Sequence, residues 1–204
     1  MHPRLFRLFV LVLSLALSLA LSWVVGLIVG AGLFAANPDS ALLLTWAVCI
    51  PIIYAVMRFY GLKLGLPVAV LLGLGAAALW ARRLGDAEPM FIVIPLALAL
   101  IALTFEAFWG TPKLSLLRNL MFAILAAAAN TLAGLAGSIV NSTEVTALTI
   151  LHDFRIGLLA ALAISVGITL AERIYIPLAW RWSIPGLFDE EGQEPDDDEP
   201  EPEA

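Results

Sequence analysis

Cysteine and histidine are almost absent from this chain. Its 204 residues include one cysteine, Cys49, and two histidines, His2 and His152. A single cysteine excludes an internal disulfide and any metal or iron–sulfur site built from several cysteines. Two histidines so far apart in sequence also offer no pair of ligands for haem. The sequence therefore predicts no metal site and no cofactor.

Motifs typical of enzymes are missing as well. The chain has no His/Glu spacing of a metalloprotease, no Gly-x-Ser-x-Gly turn, no paired aspartates and no phosphate-binding loop. No cluster of basic residues is larger than a pair, which argues against nucleic-acid binding. We therefore predict a non-enzymatic protein without catalytic residues and without a nucleic-acid partner.

Charged residues are scarce, and long apolar runs take their place. Charged side chains make up 14% of the chain and hydrophobic ones 61%, whereas a typical soluble domain has about 25% charged residues. The mean hydropathy is +0.96. These values indicate a protein that is surrounded by a lipid bilayer rather than by water.

The net charge of −6 comes from one end of the chain. Ten of the seventeen acidic residues lie within residues 189–203. Residues 185–204 carry little apolar surface, and such a segment cannot bury enough of it to fold. We predict a disordered acidic tail there, attached to a membrane domain that comprises residues 1–184.

Six apolar windows predict six transmembrane helices, because about 30 Å of hydrocarbon takes about 20 residues at helical rise. The predicted fold class is thus an all-α, polytopic membrane bundle. The loops between the windows are no longer than about fifteen residues, which leaves no room for a soluble domain between spans. The windows cover residues 6–35, 41–59, 65–80, 90–109, 120–140 and 156–180.

Lys and Arg residues are unevenly divided between the two ends of the predicted helices. With the N-terminus in the cytoplasm, eight of the eleven fall on the cytoplasmic side. This excess predicts cytoplasmic N- and C-termini and a multi-pass protein of the cytoplasmic (inner) membrane. The eight are Arg4, Arg7, Arg58, Lys63, Lys113, Arg118, Arg173 and Arg181, and the other three are Arg82, Arg83 and Arg155.

Small residues recur at every fourth position of the first apolar run. This spacing places them on one stripe of a helix, where another helix can approach closely. The stripe is either an internal helix-packing surface or a face for a partner chain, and both interpretations stay open. Its members are Ser14, Ser18, Ser22, Gly26 and Gly30.

Polar side chains within the apolar runs are candidates for a ligand site or a polar network. Asn130 and Thr131 lie near the middle of the fifth window, where an unpaired amide is costly. Glu106 lies near the end of the fourth window, where it can pair with Arg118 or Arg173.

A second group of candidates lies before and after the sixth apolar run. His152 and Arg155 precede it and are candidates for an outer-facing site for an anionic or polar ligand, while Asp153 is expected to cap the helix. Near the other end of the run, Glu172 and Arg173 point to different faces of the helix. We expect both of them to face lipid headgroups.

The sequence is compatible with two functions. The first is a small structural or assembly subunit that packs in the bilayer with other membrane subunits or with copies of itself. The second is a small transport or substrate-capture subunit. In size and number of spans, the chain resembles the substrate-binding subunits of energy-coupling vitamin transporters, a likeness of architecture that covers no specific residue. A capture subunit would bring Asn130, Thr131 and Glu106 together at one polar cavity, whereas a structural subunit would pair them separately.

Overall fold

The computed structural model describes residues 3–30, 32, 37–84, 90–108, 115–140, 142 and 144–181. The described chain is all-helical, and its six helices are each long and apolar enough to cross a membrane. The all-α class predicted from the apolar windows is therefore confirmed, while the acidic tail lies outside the described residues. The helices are α1 (Pro3–Val29), α2 (Pro38–Tyr60), α3 (Leu62–Leu84), α4 (Met90–Phe108), α5 (Ser115–Val140) and α6 (Ala147–Arg181).

Local signals set the helix boundaries. α1 ends at Val29 because Gly30 adopts a φ of 74°, which ends a helix and is readily adopted only by glycine. Asn37 caps α2 by accepting a hydrogen bond from the Ser40 backbone N–H at 2.7 Å, and Pro38 follows in the first turn. Gly61, with a φ of 70°, separates α2 from α3.

The sixth helix begins earlier than predicted. Thr146 Oγ1 accepts a hydrogen bond from the Thr149 backbone N–H at 3.2 Å, which is the contact of a helix cap. α6 consequently starts at Ala147 rather than at Ile156 and continues unbroken to Arg181. At 35 residues it is the longest of the described helices.

α2 is the central helix of the bundle. It contacts α1, α3, α4 and α6, and the remaining contacts form a belt in the order α1, α6, α5, α4, α3 around it. Within the described ranges α1 and α3 do not touch, so one side of α2 faces outward between them. Partly exposed residues recur at every fourth position of α2 and mark that side: Leu44, Val48, Ile52 and Val56.

The helices alternate in direction, so α1, α3 and α5 begin where α2, α4 and α6 end. We call this the Arg118 end of the bundle and the opposite one the His152 end. A large apolar core with Trp46 and Ile164 among its buried residues lies between α2, α4, α5 and α6. A smaller cluster around Phe6 and Tyr175 joins α1 to α6 at the Arg118 end.

The small-residue stripe of α1 lies mostly inside the bundle. Ser14, Ser18, Ser22 and Gly26 are buried, and α1 contacts α6 and α2. Gly30 is different, because it is exposed and lies just beyond the end of the helix. Four of the five stripe residues thus pack against helices of the same chain.

The closest approach along this stripe is between Ser18 and Gly167 of α6. A Cβ atom placed on Gly167 would lie 2.9 Å from both the Cα and the backbone N of Ser18. Real Cβ atoms do not come so near to backbone atoms, and a backbone cannot turn aside as a flexible side chain can. Gly167 therefore allows α1 and α6 to pack at this distance.

This contact predicts the effect of one added methyl group. We expect Gly167→Ala to lower the free energy of unfolding by about 1–3 kcal/mol, because α1 and α6 must move apart. The measurement is a denaturant titration in detergent micelles. Gly75→Ala is the matched control, since a Cβ there meets no atom of the described residues within 4 Å. Equal losses in the two variants would contradict the close packing of α1 on α6.

Candidate functional site: a buried polar cluster at the Arg118 end

An ion pair between Arg118 and Glu172 lies inside the bundle. Arg118 Nη2 is 2.6 Å from Glu172 Oε2, and the two side chains are only 7% and 11% exposed. Arg118 is in the first turn of α5, and Glu172 is near the end of the antiparallel α6. Since the start of α5 packs beside the last turns of α6, opposite charges from distant parts of the sequence meet there.

Two tyrosines extend the ion pair toward the central helix. The Tyr54 hydroxyl of α2 donates a hydrogen bond to Glu172 Oε1 at 2.7 Å. The hydroxyls of Tyr54 and Tyr175 are also hydrogen-bonded to each other, and Arg58, one turn further along α2, interacts with Tyr175. Glu172 is thus held through one oxygen by α5 and through the other by α2.

Thr169 and Asn119 complete the cluster on the side of α5. Arg118 Nη2 donates to Thr169 Oγ1 at 3.2 Å, and the Thr169 hydroxyl donates to Asn119 Oδ1 at 2.9 Å. Thr169 lies one turn before Glu172, so α6 presents both to the same part of α5. We refer to the whole set as the polar cluster, and its members, all of them buried, are Tyr54, Arg118, Asn119, Thr169, Glu172 and Tyr175.

Aromatic rings lie against the polar cluster. The Phe105 ring of α4 is 5.9 Å from the Tyr54 ring and 4.5 Å from the Phe122 ring, centroid to centroid. On the other side, the Phe6 ring of α1 meets Tyr175 edge-on at 6.2 Å. These rings keep the surroundings of the ion pair apolar, which strengthens each hydrogen bond and raises the cost of losing one.

The polar cluster connects three helices through buried hydrogen bonds and an ion pair, and we call this connection the clamp. The bonds given above join α2, α5 and α6. A buried charge without a partner costs several kcal/mol, so each of the three helices can hold only the position in which these bonds form. The arrangement therefore fixes the rotation and register of the helices at this end of the bundle.

The polar candidates within the fourth and fifth apolar runs do not come together. Asn130 Nδ2 donates to the backbone oxygen of Asp153 at 3.3 Å, which ties α5 to α6. Thr131 donates to the Ala127 carbonyl of its own helix at 2.9 Å. Glu106 is exposed in the last turns of α4, at the Arg118 end of the bundle and away from Asn130. Each of these three side chains thus has separate surroundings.

The candidates at the start of the sixth apolar run lie at the His152 end. His152 Nε2 is 3.1 Å from Asp39 Oδ1 of α2, and both side chains are partly exposed. Arg155 is exposed one turn further along α6. Asp153 does not cap the helix as expected, because α6 begins six residues earlier, at Ala147. No group of three or more His, Cys, Asp or Glu in the described ranges is placed to hold a metal ion.

The polar cluster itself was missed at the level of sequence. Glu172 was expected to face lipid headgroups, and it is buried instead. Arg118 was one of two partners considered for Glu106, and it pairs with Glu172 instead. The available signal was that both charges fall at the same end of the predicted helices. Whether Glu106 or Glu172 meets Arg118 depends on how α4 and α6 are rotated about their axes. The positions of the charges along the sequence do not determine that rotation.

Comparisons of this chain with protein-family models, with curated proteins and with solved structures find no match.

The clamp predicts unequal effects of single and double substitutions. We expect Arg118→Met to lower the free energy of unfolding by about 3–5 kcal/mol, because it leaves the Glu172 carboxylate buried without its counter-charge. Adding Glu172→Leu should recover most of the loss, since the double variant removes the orphaned charge. Both are measured by unfolding titration in detergent.

Arg173→Met is the matched control, because Arg173 is adjacent to Glu172 in sequence but exposed. Its effect should stay within about 0.5 kcal/mol. A double variant no more stable than Arg118→Met would contradict the clamp.

Proposed function

We propose that this protein is a non-enzymatic, multi-pass membrane subunit with a structural role in a larger membrane assembly. The observation that carries the proposal is the polar cluster, in which the Arg118–Glu172 ion pair and Tyr54 bind α2, α5 and α6 to one another. Polar groups bonded in this way hold helices in place. They give the bundle a fixed shape against which other membrane helices can pack.

The separate surroundings of the polar candidates favour this role over substrate capture. A capture subunit needs converging polar groups that a solute can reach. Asn130 and Thr131 are instead bonded to backbone oxygens, and Glu106 lies apart from them, at the Arg118 end of α4. Internal pairing of this kind is what a structural subunit requires.

The outer surfaces of α1 and α3 are the best candidates for contact with other membrane helices. In the apolar windows of these two helices, 22% and 28% of the residues are buried, compared with 67% in α2. Association in a bilayer depends on van der Waals packing and close fit rather than on expulsion of water. The exposed apolar faces of these helices can therefore bind other membrane helices without any polar residues.

The assembly role is tested by isolating the protein from its native membrane in lipid nanodiscs, followed by native mass spectrometry. We expect either a second membrane protein in fixed stoichiometry or an oligomer of this chain. Disulfide crosslinking through cysteines placed on the outer face of α1 or α3 should then join the partners. A monomer that retains a polar small molecule would contradict the proposal and favour capture.

We further propose that the protein lies in the cytoplasmic membrane with both termini in the cytoplasm. The support is the charge asymmetry of the described residues, in which seven of the ten Lys and Arg residues lie toward the Arg118 end. Arg118 itself is buried in the polar cluster. Without it, six described cations remain against three, and the excess still favours a cytoplasmic Arg118 end.

This orientation is tested with single cysteines in a Cys49→Ala background. Lys63→Cys reports the Arg118 end and Arg82→Cys the His152 end, since both positions are exposed. In intact bacterial cells, a membrane-impermeant maleimide should label Arg82→Cys and leave Lys63→Cys unmodified until the cells are opened. The reverse pattern would overturn the orientation.

A further inference from the structure

A groove runs between α2 and α3 on the uncovered side of the central helix. Its volume is about 720 Å³, within the roughly 300–1,000 Å³ of typical small-molecule sites. The walls are mainly apolar, with Leu44 and Val48 on α2 facing Leu72 and Leu79 on α3. Gly75 forms part of the wall and leaves space, since a Cβ there would meet no described atom within 4 Å.

The end of the groove nearest the His152 end is polar and positively charged. Trp80 Nε1 donates a hydrogen bond to Thr45 Oγ1 at 2.9 Å, and both side chains are buried. The guanidinium of Arg83 lies 5.5 Å from the centre of the Trp80 ring and is exposed. The stacked ring holds one positive charge at the mouth of an otherwise apolar groove.

The length of the groove indicates what fits in it. Its lining on α3 extends from Leu71 to Arg83, which is about 18 Å at helical rise. That is close to half of the roughly 30 Å hydrocarbon core. A partner transmembrane helix needs a face that runs through the whole core. This groove instead spans about one leaflet and has a cation, Arg83, at the bilayer boundary. Its length and charge fit one lipid molecule, with its acyl chain in the groove and its headgroup at the cation.

We propose that this groove is a binding site for an anionic phospholipid. One acyl chain lies between α2 and α3, and the phosphate accepts hydrogen bonds from the Arg83 guanidinium. Arginine is suited to this because its planar fork of donors matches phosphate oxygens. Trp80 sits at the level of the headgroup, where amphipathic rings are favoured. The lipid covers the side of α2 that is left open by the described helices.

The test measures lipid retention by native mass spectrometry after purification with an equimolar mixture of phosphatidylglycerol and phosphatidylcholine. We expect one retained phosphatidylglycerol, preferred roughly tenfold, the factor expected from one charge-assisted hydrogen-bonded contact. Arg83→Gln should remove the preference. Arg82→Gln is the matched control, because the neighbouring cation does not line the groove, and it should keep the preference.

A second variant tests the acyl-chain part of the site. Gly75→Leu should place its side chain in the open space of the groove and reduce retention of both lipids at least tenfold. Its helical content and unfolding midpoint, compared with those of the wild type, show that the fold is intact. Equal preferences in Arg83→Gln and Arg82→Gln would overturn the site, as would full retention in Gly75→Leu.

One further outcome distinguishes a lipid from a protein in the groove. If Gly75→Cys crosslinks to another membrane protein in native membranes, the groove holds a partner helix and the lipid site is wrong. The lipid site does not depend on the subunit role proposed above. A protein that binds no partner can still retain the lipid, and an assembled subunit can lack it.

Discussion

A guanidinium group buried in an apolar helix bundle needs a counter-charge and hydrogen-bond acceptors at fixed positions, because apolar side chains supply neither. Arg118 pairs with Glu172 and donates to Thr169, both of α6, and Glu172 in turn accepts a hydrogen bond from Tyr54 of α2. The rotation of α6, the start of α5 and the last turns of α2 are thereby constrained together. A shift of any of the three by one residue would leave a buried polar group unpaired, so the packing of the remaining helices builds on this arrangement.

Close contacts between helices also restrict the packing of α1 and α3. Ser18 of α1 lies against Gly167 of α6, and a Cβ on Gly73 of α3 would be 2.5 Å from the Cα of Pro95 on α4. Each contact depends on a residue without a side chain at the crossing point. They attach α1 to α6 and α3 to α4, but α1 and α3 do not meet in the described part of the chain. This leaves a gap between α1 and α3, beside α2.

The two proposals use different surfaces of this arrangement. The structural role rests on a bundle held rigid from within, with the outer faces of α1 and α3 available to other membrane helices. The lipid site uses the inner wall of the gap, where Gly75 leaves space and Arg83 supplies a charge. A lipid there fills the side of α2 that its neighbours leave open, so it can support the central helix without occupying the outer faces.

The all-α fold and its six long apolar helices can be predicted from the amino-acid sequence alone. Apolar windows of bilayer length predict six membrane helices, and the spacing of Ser14, Ser18 and Ser22 predicts a close-packed face, because length and periodicity are local properties of the chain. The start of α6 was misplaced because the Thr146 cap is a weak local signal inside a polar loop. The polar cluster and the groove, in contrast, form only when the helices pack against one another. Which carboxylate meets Arg118, and which side of α2 stays open, depends on how helices rotate and cross, and that is settled by packing between residues far apart in sequence.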